Sequence, residues 1–335
     1  MFFTFGVITY NQQKYVLETL ESIKYQIKIY GKNMRFNLVV SDDASKDLTL
    51  VYVKKWLALN PDLFENVKIL SSKSNIGTVN NYHRLLDHVE TEDFKVIAGD
   101  DLFSNNNLFS YVSLLKKYDL VSYFPLYLQQ GRIYYDDNRL VRFIYGMDKN
   151  YKYYLDEIKK GSLFHTPSTF FKNCLYTDSC REFVSEFYLF EDDPRWYKFL
   201  KDNLNLNIKF LLNPLILYRM HDESVCHGLP KKNKTADIFT SDLIKLKKRY
   251  YDDENGILMK LYLKCDIFSF KISNPLLKPI NYIRRIELIK RKQSRNVKKS
   301  MAEAKSILKN QCRSSKEYYN EICKKVNEAI NRFEK

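Results

Sequence analysis

Along the first hundred residues, short apolar runs alternate with segments whose apolar positions recur every three or four residues. Phe2 to Tyr10 (FFTFGVITY) is apolar, β-branched and aromatic throughout, as in a strand buried on both faces. Val16, Leu20, Ile23 and Ile27 then fall at helical spacing. A second strand is predicted over Asn37 to Val40. A helix follows along Leu48, Val51, Tyr52, Trp56 and Leu59, closed by Asn60-Pro61. A third strand, Val67 to Leu70, leads through Asn75-Ile76-Gly77 to a helix over Val79 to Val89. A fourth, Phe94 to Ala98, ends at Asp100-Asp101. Repeated strand–helix units predict an α/β fold with a mostly parallel sheet and helices on both faces.

Each predicted strand end carries a polar cluster: Thr9-Tyr10-Asn11, Asp42-Asp43, Asn75-Gly77 and Asp100-Asp101. Ligands of open α/β sheets sit outside the carboxyl ends of the strands, so the four clusters point to one shared site. A buried strand that delivers two carboxylates at its tip is costly unless their charge is compensated. Mg²⁺ or Mn²⁺ on a diphosphate is such a compensation, because hard cations take oxygen ligands. The plainer alternative for Asp100-Asp101 is a helix cap on a surface turn. A second acidic cluster, Glu191-Asp192-Asp193-Pro194-Arg195-Trp196, lies about ninety residues on and offers a separate carboxylate as general base. Within it, Asp193 reads as a charge favoured by a helix N-terminus, with Pro194 in the first turn.

Taken in order, Ile8-Thr9-Tyr10-Asn11, Ser41-Asp42-Asp43-Ala44-Ser45, Asn75-Ile76-Gly77, Gly99-Asp100-Asp101, Glu191-Asp192 with Trp196, and Tyr218-Arg219-Met220-His221 resemble the motifs of family 2 glycosyltransferases, over residues 1–228. The resemblance implies the GT-A fold, a Rossmann-like sheet, and inverting transfer of a sugar from a nucleotide-sugar donor. It also implies a nucleotide-binding half (1–103) and an acceptor half (104–228). Tyr10, flanked by Thr9 and Asn11, resembles the residue that stacks on the base. Asp43, with Asp42 as second choice, resembles the acceptor for the base imide N–H, which favours a UDP-sugar. Asn75 and Gly77 belong to the same nucleotide site. Asp101 matches the direct ligand of Mg²⁺ or Mn²⁺, and Asp100 the contact to ribose or metal. A further Asp is frequent two residues before this pair; here Ala98 stands there, which leaves the ribose without that carboxylate. Asp192 matches the catalytic base and Glu191 its companion. Arg219 and His221 match the segment that closes over the diphosphate, with His221 also a metal candidate.

Length and composition fit one large domain plus an appendage in 335 residues, 45% of them hydrophobic. Walker-type and Gly-rich dinucleotide loops are absent, and only 9 glycines occur. Six cysteines show no C-x-x-C spacing, and Cys226-His227 lacks a second half for zinc. Free thiols in a reducing cytoplasm are therefore expected. No signal peptide or bilayer-spanning stretch is visible.

Charge changes this picture most. Residues 229–335 hold 27 Lys and Arg against 12 Asp and Glu, whereas residues 1–228 hold 28 of each. The whole excess of +15 therefore lies in a basic, helical C-terminal region. It opens with a flexible-looking Pro230-Lys231-Lys232-Asn233-Lys234 and continues with helical patterns at Leu243 to Tyr250 and Ile257 to Leu263. Lys278 to Lys299 carries nine Lys and Arg interleaved with apolar residues. It reads as an amphipathic helix for an anionic membrane surface, or alternatively as the solvated face of a brace. No nucleic-acid motif accompanies the charge, so nucleic acid is not an expected partner.

The leading expectation is a transferase acting on a glycan or lipid-linked glycan at the inner face of a bacterial membrane, in surface-polysaccharide or capsule synthesis. A nucleotidylyltransferase is the alternative enzyme, disfavoured because Thr9-Tyr10-Asn11-Gln12-Gln13 replaces a Gly-rich basic loop. A non-catalytic sugar-binding module is the third, disfavoured by the retained acids.

Overall fold

A computed structural model describes residues 1–147, 149–161, 163–221 and 234–333. Cys226, His227 and residues 230–233 fall outside these.

The first unit follows the sequence pattern closely. It runs β1 (Phe2–Thr9), α1 (Val16–Tyr30), β2 (Arg35–Asp42), α2 (Thr49–Ala58), β3 (Asn66–Ser71), α3 (Thr78–Leu86) and β4 (Asp93–Ala98). All four strands pair in parallel in the order β3-β2-β1-β4. Side chains alternate between faces of a strand. Phe3, Phe5 and Val7 of β1 therefore join Leu17, Leu20 and Ile23 of α1 in one buried cluster. Gly6, pointing the other way, faces Leu85 of α3. Helices cover both faces, which is why β1 has no polar alternation.

The chain then crosses β5 (Leu102–Phe103), α4 (Ser110–Leu115), β6 (Leu120–Tyr123), β7 (Leu126–Gln129), β8 (Arg132–Tyr134), α5 (Asp137–Gly146), α6 (Tyr151–Lys160) and β9 (Thr169–Phe171). It continues through α7 (Asp178–Ser185), α8 (Asp192–Asp202), β10 (Ile208–Leu211) and β11 (Ile216–Arg219). Two small sheets result, β10-β6-β9 and β5-β11-β7-β8. Five of the eight strand pairings are parallel, so the fold is mixed but mostly parallel. The short β5 decides the site's shape. It follows Asp101 directly and pairs antiparallel with β11, Leu102 against Leu217. That register brings Arg219 and His221 back to Asp100-Asp101.

Four helices complete the described chain: α9 (Lys234–Asp253), α10 (Ile257–Ser269), α11 (Pro279–Gln293) and α12 (Arg295–Phe333). The single helix expected over 278–299 is broken at Ser294, whose φ −63° and ψ 145° are extended. Nor is the region an appendage with its own interior. Leu246, Tyr250, Leu263, Leu308, Tyr318 and Ile322 are buried in the same cluster as Leu126, Trp196 and Leu217. Along α12, Tyr318 donates to the Phe103 carbonyl at 3.0 Å and Gln311 accepts from Asn106 at 2.9 Å. The expected boundary near 228 thus marks a change of composition, while the core continues across it.

Candidate active site

In the sheet order β3-β2-β1-β4 the connection reverses between β1 and β4, the place where such sheets open a crevice. A cavity of about 760 Å³ lies there. Thr9, Tyr10, Asn11, Asp43, Asn75, Gly77, Asp100, Asp101, Glu191, Asp192 and His221 all border it. Segments spread over more than two hundred residues therefore meet in one place.

The nucleotide end is built from turns that lock one another. Asn11 takes the left-handed φ of 52° that Asn tolerates, donates its N–H to Ser45 Oγ and accepts from the Lys46 N–H through its side chain, both at 2.8 Å. Asp42 is fully buried and accepts from the Thr9 hydroxyl at 2.8 Å and from the Ser45 N–H at 2.9 Å. It braces the turn and does not border the cavity. Asp43 faces the cavity. Its carboxylate accepts from the Ile76 and Gly77 N–H groups at 2.6 and 3.1 Å. Burial raises its pKa, and those two bonds work against the rise. Gly77 has φ +86°, and a Cβ there would come within 2.7 Å of the Tyr188 carbonyl. Tyr188 donates its hydroxyl to Asn75 Oδ1 at 3.0 Å and, with the half-exposed Tyr10, forms the walls of this end.

At the tip of β4, Gly99 lets the two strand ends meet, because a Cβ would stand 2.5 Å from Gln12 Oε1 and 2.8 Å from Thr9 Cγ2. Asp101 is buried, and its carboxylate accepts the Arg219 N–H at 2.8 Å. Burial, then the adjacent Asp100 charge, push its pKa well up. Asp100 Oδ2 lies 2.9 Å from His221 Nε2, whose Nδ1 is buried without a partner, and the ring packs on Tyr15. Arg219 departs from expectation. Its guanidinium donates to the Asp100 carbonyl at 2.7 Å, pairs with Glu18 of α1, and lies over the Tyr15 ring. It is absent from the cavity wall because the partly buried Glu18 offers a nearby counter-charge; it holds the acid turn from behind.

The second acid pair stands at the start of α8. Asp192 accepts from the Asp193 N–H at 2.8 Å and from the Thr166 hydroxyl at 3.2 Å; Trp196 in turn donates to Thr166 at 2.8 Å. Burial, then the neighbouring Asp192 charge, lift the Glu191 pKa to about 7, and the Arg195 cation opposes them. Asp193 is buried in the helix start, in keeping with its reading as a helix-terminal charge, and His165 is a buried loop residue 3.0 Å from Ser168. Tyr188 and Thr166 carry no motif, and Arg195 stands inside the second acidic cluster without a role read from it. Nearness in sequence to Glu191 could have signalled Tyr188 and Arg195; nothing local signals Thr166.

Hard carboxylate oxygens at Asp100 and Asp101, with the His221 ring against Asp100 and its Nδ1 buried without a partner, suit a divalent cation. Among the described residues no group of three or more His, Cys, Asp or Glu forms a ready-made metal cage. Mg²⁺ ordinarily binds through one or two carboxylates plus substrate phosphates, which this donor set can offer.

The glycosyl transferase family 2 model matches residues 4–179, more than half of the chain, and the protein belongs to that family. The fold is correspondingly GT-A. S. aureus TarS (residues 1–349) with UDP-GlcNAc is similar at a TM-score of 0.51 and 16% identity, over 80% of this chain and 72% of that one. The same protein with UDP gives 0.50 and 16%, over 96% and 90%. No curated protein sequence matches the chain.

Proposed function

We propose that the protein transfers a sugar, with inversion, from a UDP-sugar to a hydroxyl of a glycan or lipid-linked glycan, with Asp192 as general base. The observation that carries this reading is the convergence of Asp43, Asp100-Asp101 and Glu191-Asp192 on one cavity. Tyr10 stacks on the base, and Asp43 accepts the uracil imide N–H on a carboxylate oxygen with lone pairs to spare. That TarS binds UDP-GlcNAc and UDP is in keeping with this donor.

Direct displacement needs one base on the face opposite the leaving group. Asp192 takes the acceptor proton as the new bond forms, and Thr166 holds its second oxygen in place. Glu191 binds an acceptor hydroxyl beside it. Asp100, Asp101 and His221 would hold Mg²⁺ or Mn²⁺, which when bound offsets the charge of the diphosphate. Arg219 contributes by fixing the Asp100-Asp101 turn.

The test is Asp192→Asn, scored by UDP release with acceptor present and by UDP affinity. We expect kcat to fall by about two to four orders of magnitude with UDP affinity within a few-fold of wild type. Turnover close to wild type would remove Asp192 as the base.

A further inference from the structure

Helices α10 and α11 form a hairpin that turns four charged side chains, Asp266, Arg284, Glu287 and Arg291, toward the protein. Arg284 pairs with Asp266 at 3.0 Å, Lys247 with Asp266 at 3.1 Å, Arg291 with Glu157 at 2.7 Å, and Lys160 with Glu287 at 2.7 Å. Many of the hairpin's apolar side chains turn outward. On α10, which buries Tyr262, Leu263, Asp266 and Ser269, the opposite face presents Ile257, Leu261 and Phe268. The turn between the helices exposes Leu276 and Leu277 by 74% and 66%. On α11, which buries Ile280 and Arg291, the outward stripe is Tyr282, Ile286 and Ile289. With Leu258, nine of the twenty exposed large apolar side chains of the described protein fall between 257 and 289. Buried ion pairs carry a desolvation cost, and exposed apolar groups forgo burial. One hairpin bearing both is explained if its outer face is covered.

Charge identifies the cover. Residues 257–293 contain nine Lys and Arg but only Asp266 and Glu287 as acids, and both acids are engaged inward. The outer surface therefore mixes apolar groups with exposed cations, among them Lys264, Arg285, Lys290 and Lys292. A second copy would bring positive charge against positive charge, which opposes pairing. The interface of an anionic bilayer accepts both components, the apolar groups at the acyl boundary and the cations among the headgroups.

We infer that the α10–α11 hairpin, with its Leu276-Leu277 turn leading, is a docking surface for anionic lipid. This differs from one basic helix over 278–299, since α10 and the turn supply most of the apolar contact and residues after Ser294 belong to the core-packed α12. The hairpin also connects to the site. α10 packs on α9, which carries Ile238 to the cavity wall and whose Asp242 accepts the Tyr188 and Leu189 N–H groups at 2.9 and 2.8 Å. If the transfer reading holds, docking brings the acceptor side of the cavity toward lipid-borne substrate. The docking itself does not depend on that reading.

Co-sedimentation of the full chain with vesicles tests it, using phosphatidylcholine alone or mixed with phosphatidylglycerol, at low and high salt. Binding is expected only with phosphatidylglycerol and to weaken with salt. Arg285→Gln, Lys290→Gln and Lys292→Gln together should lower it by up to about a hundredfold, at about fivefold per cation. Leu276→Ser with Leu277→Ser should lower it at least roughly tenfold while leaving the charge intact. UDP affinity and melting temperature report that the fold is retained in both variants, all five positions being outside the core. Absence of binding at low salt, wild-type binding by the serine variant, or a concentration-dependent dimer abolished by that variant would each overturn the proposal. Loss of vesicle binding without loss of turnover on a soluble acceptor separates this result from any failure of the transfer reading.

Discussion

The two acid pairs that border the cavity are held in different ways. Asp100-Asp101 is fixed from every side: the Arg219 N–H and guanidinium, His221 and the close approach that Gly99 allows leave Asp101 almost no exposure. Glu191-Asp192 is half-buried at a helix start and relies on one hydroxyl and one N–H. A group that balances charge gains from preorganisation, because its environment need not rearrange as charge develops. A group that exchanges a proton must also reach its partner and solvent. On the transfer reading proposed above, the first pair would serve as the charge partner and the second as the base.

That contrast predicts opposite kinetic signatures. Where Asp192→Asn is expected to spare UDP binding, Asp101→Asn should weaken Mn²⁺-dependent UDP binding by more than about tenfold, the loss common even for outer-shell partners of a metal. Calorimetry with Mn²⁺ and with EDTA measures it. Equal UDP affinity in both conditions, for wild type and variant alike, would erase the distinction between the pairs.

Both pairs also lean on the C-terminal helices. Tyr319 of α12 lies against Arg219 behind the first pair, and Asp242 of α9 holds the Tyr188–Leu189 backbone before the second. Leu308→Ala, at a fully buried position of α12, should therefore cost about 2–5 kcal/mol of stability. In urea unfolding, a cost below about 1 kcal/mol would mean that α12 is peripheral after all.

How much of this was legible in the sequence follows from what each feature depends on. The four parallel strands and three helices of the first unit announce themselves through apolar period, and the strand-end clusters meet because sheet topology forces them to. The role of Arg219 was not legible, since Glu18 lies 201 positions away and only the β5–β11 register brings them together. Thr166 and Tyr188 come from loops without periodicity. The break at Ser294 was hidden because helical spacing continues on both sides of it. The C-terminal packing was masked by composition, as dense lysines drew attention from the buried stripe of Leu308, Tyr318 and Ile322.

The smallest expected effect concerns Glu191, and it sharpens the contrast within the second pair. Its carboxyl is lifted from the ordinary value of 4.5 to about 7, first by burial and then by the Asp192 charge. The folded protein thus holds this proton more tightly than the unfolded chain does. Below pH 4.5 both states are protonated and the residue adds no pH dependence. Between 4.5 and about 7 the unfolded chain releases the proton while the folded protein keeps it, so stability falls as pH rises. Above about 7 the folded protein carries the whole cost of a second charge beside Asp192. Glu191→Gln keeps the shape and a hydrogen-bond donor but cannot ionise. Its melting temperature relative to wild type should therefore climb from pH 5 to pH 8 by about one to two degrees, the change that about 1 kcal/mol makes in a protein of 335 residues. A difference that stays flat over that range, or declines, would mean that Glu191 is ionised in the folded protein throughout, and that the two acids of the second pair share one character.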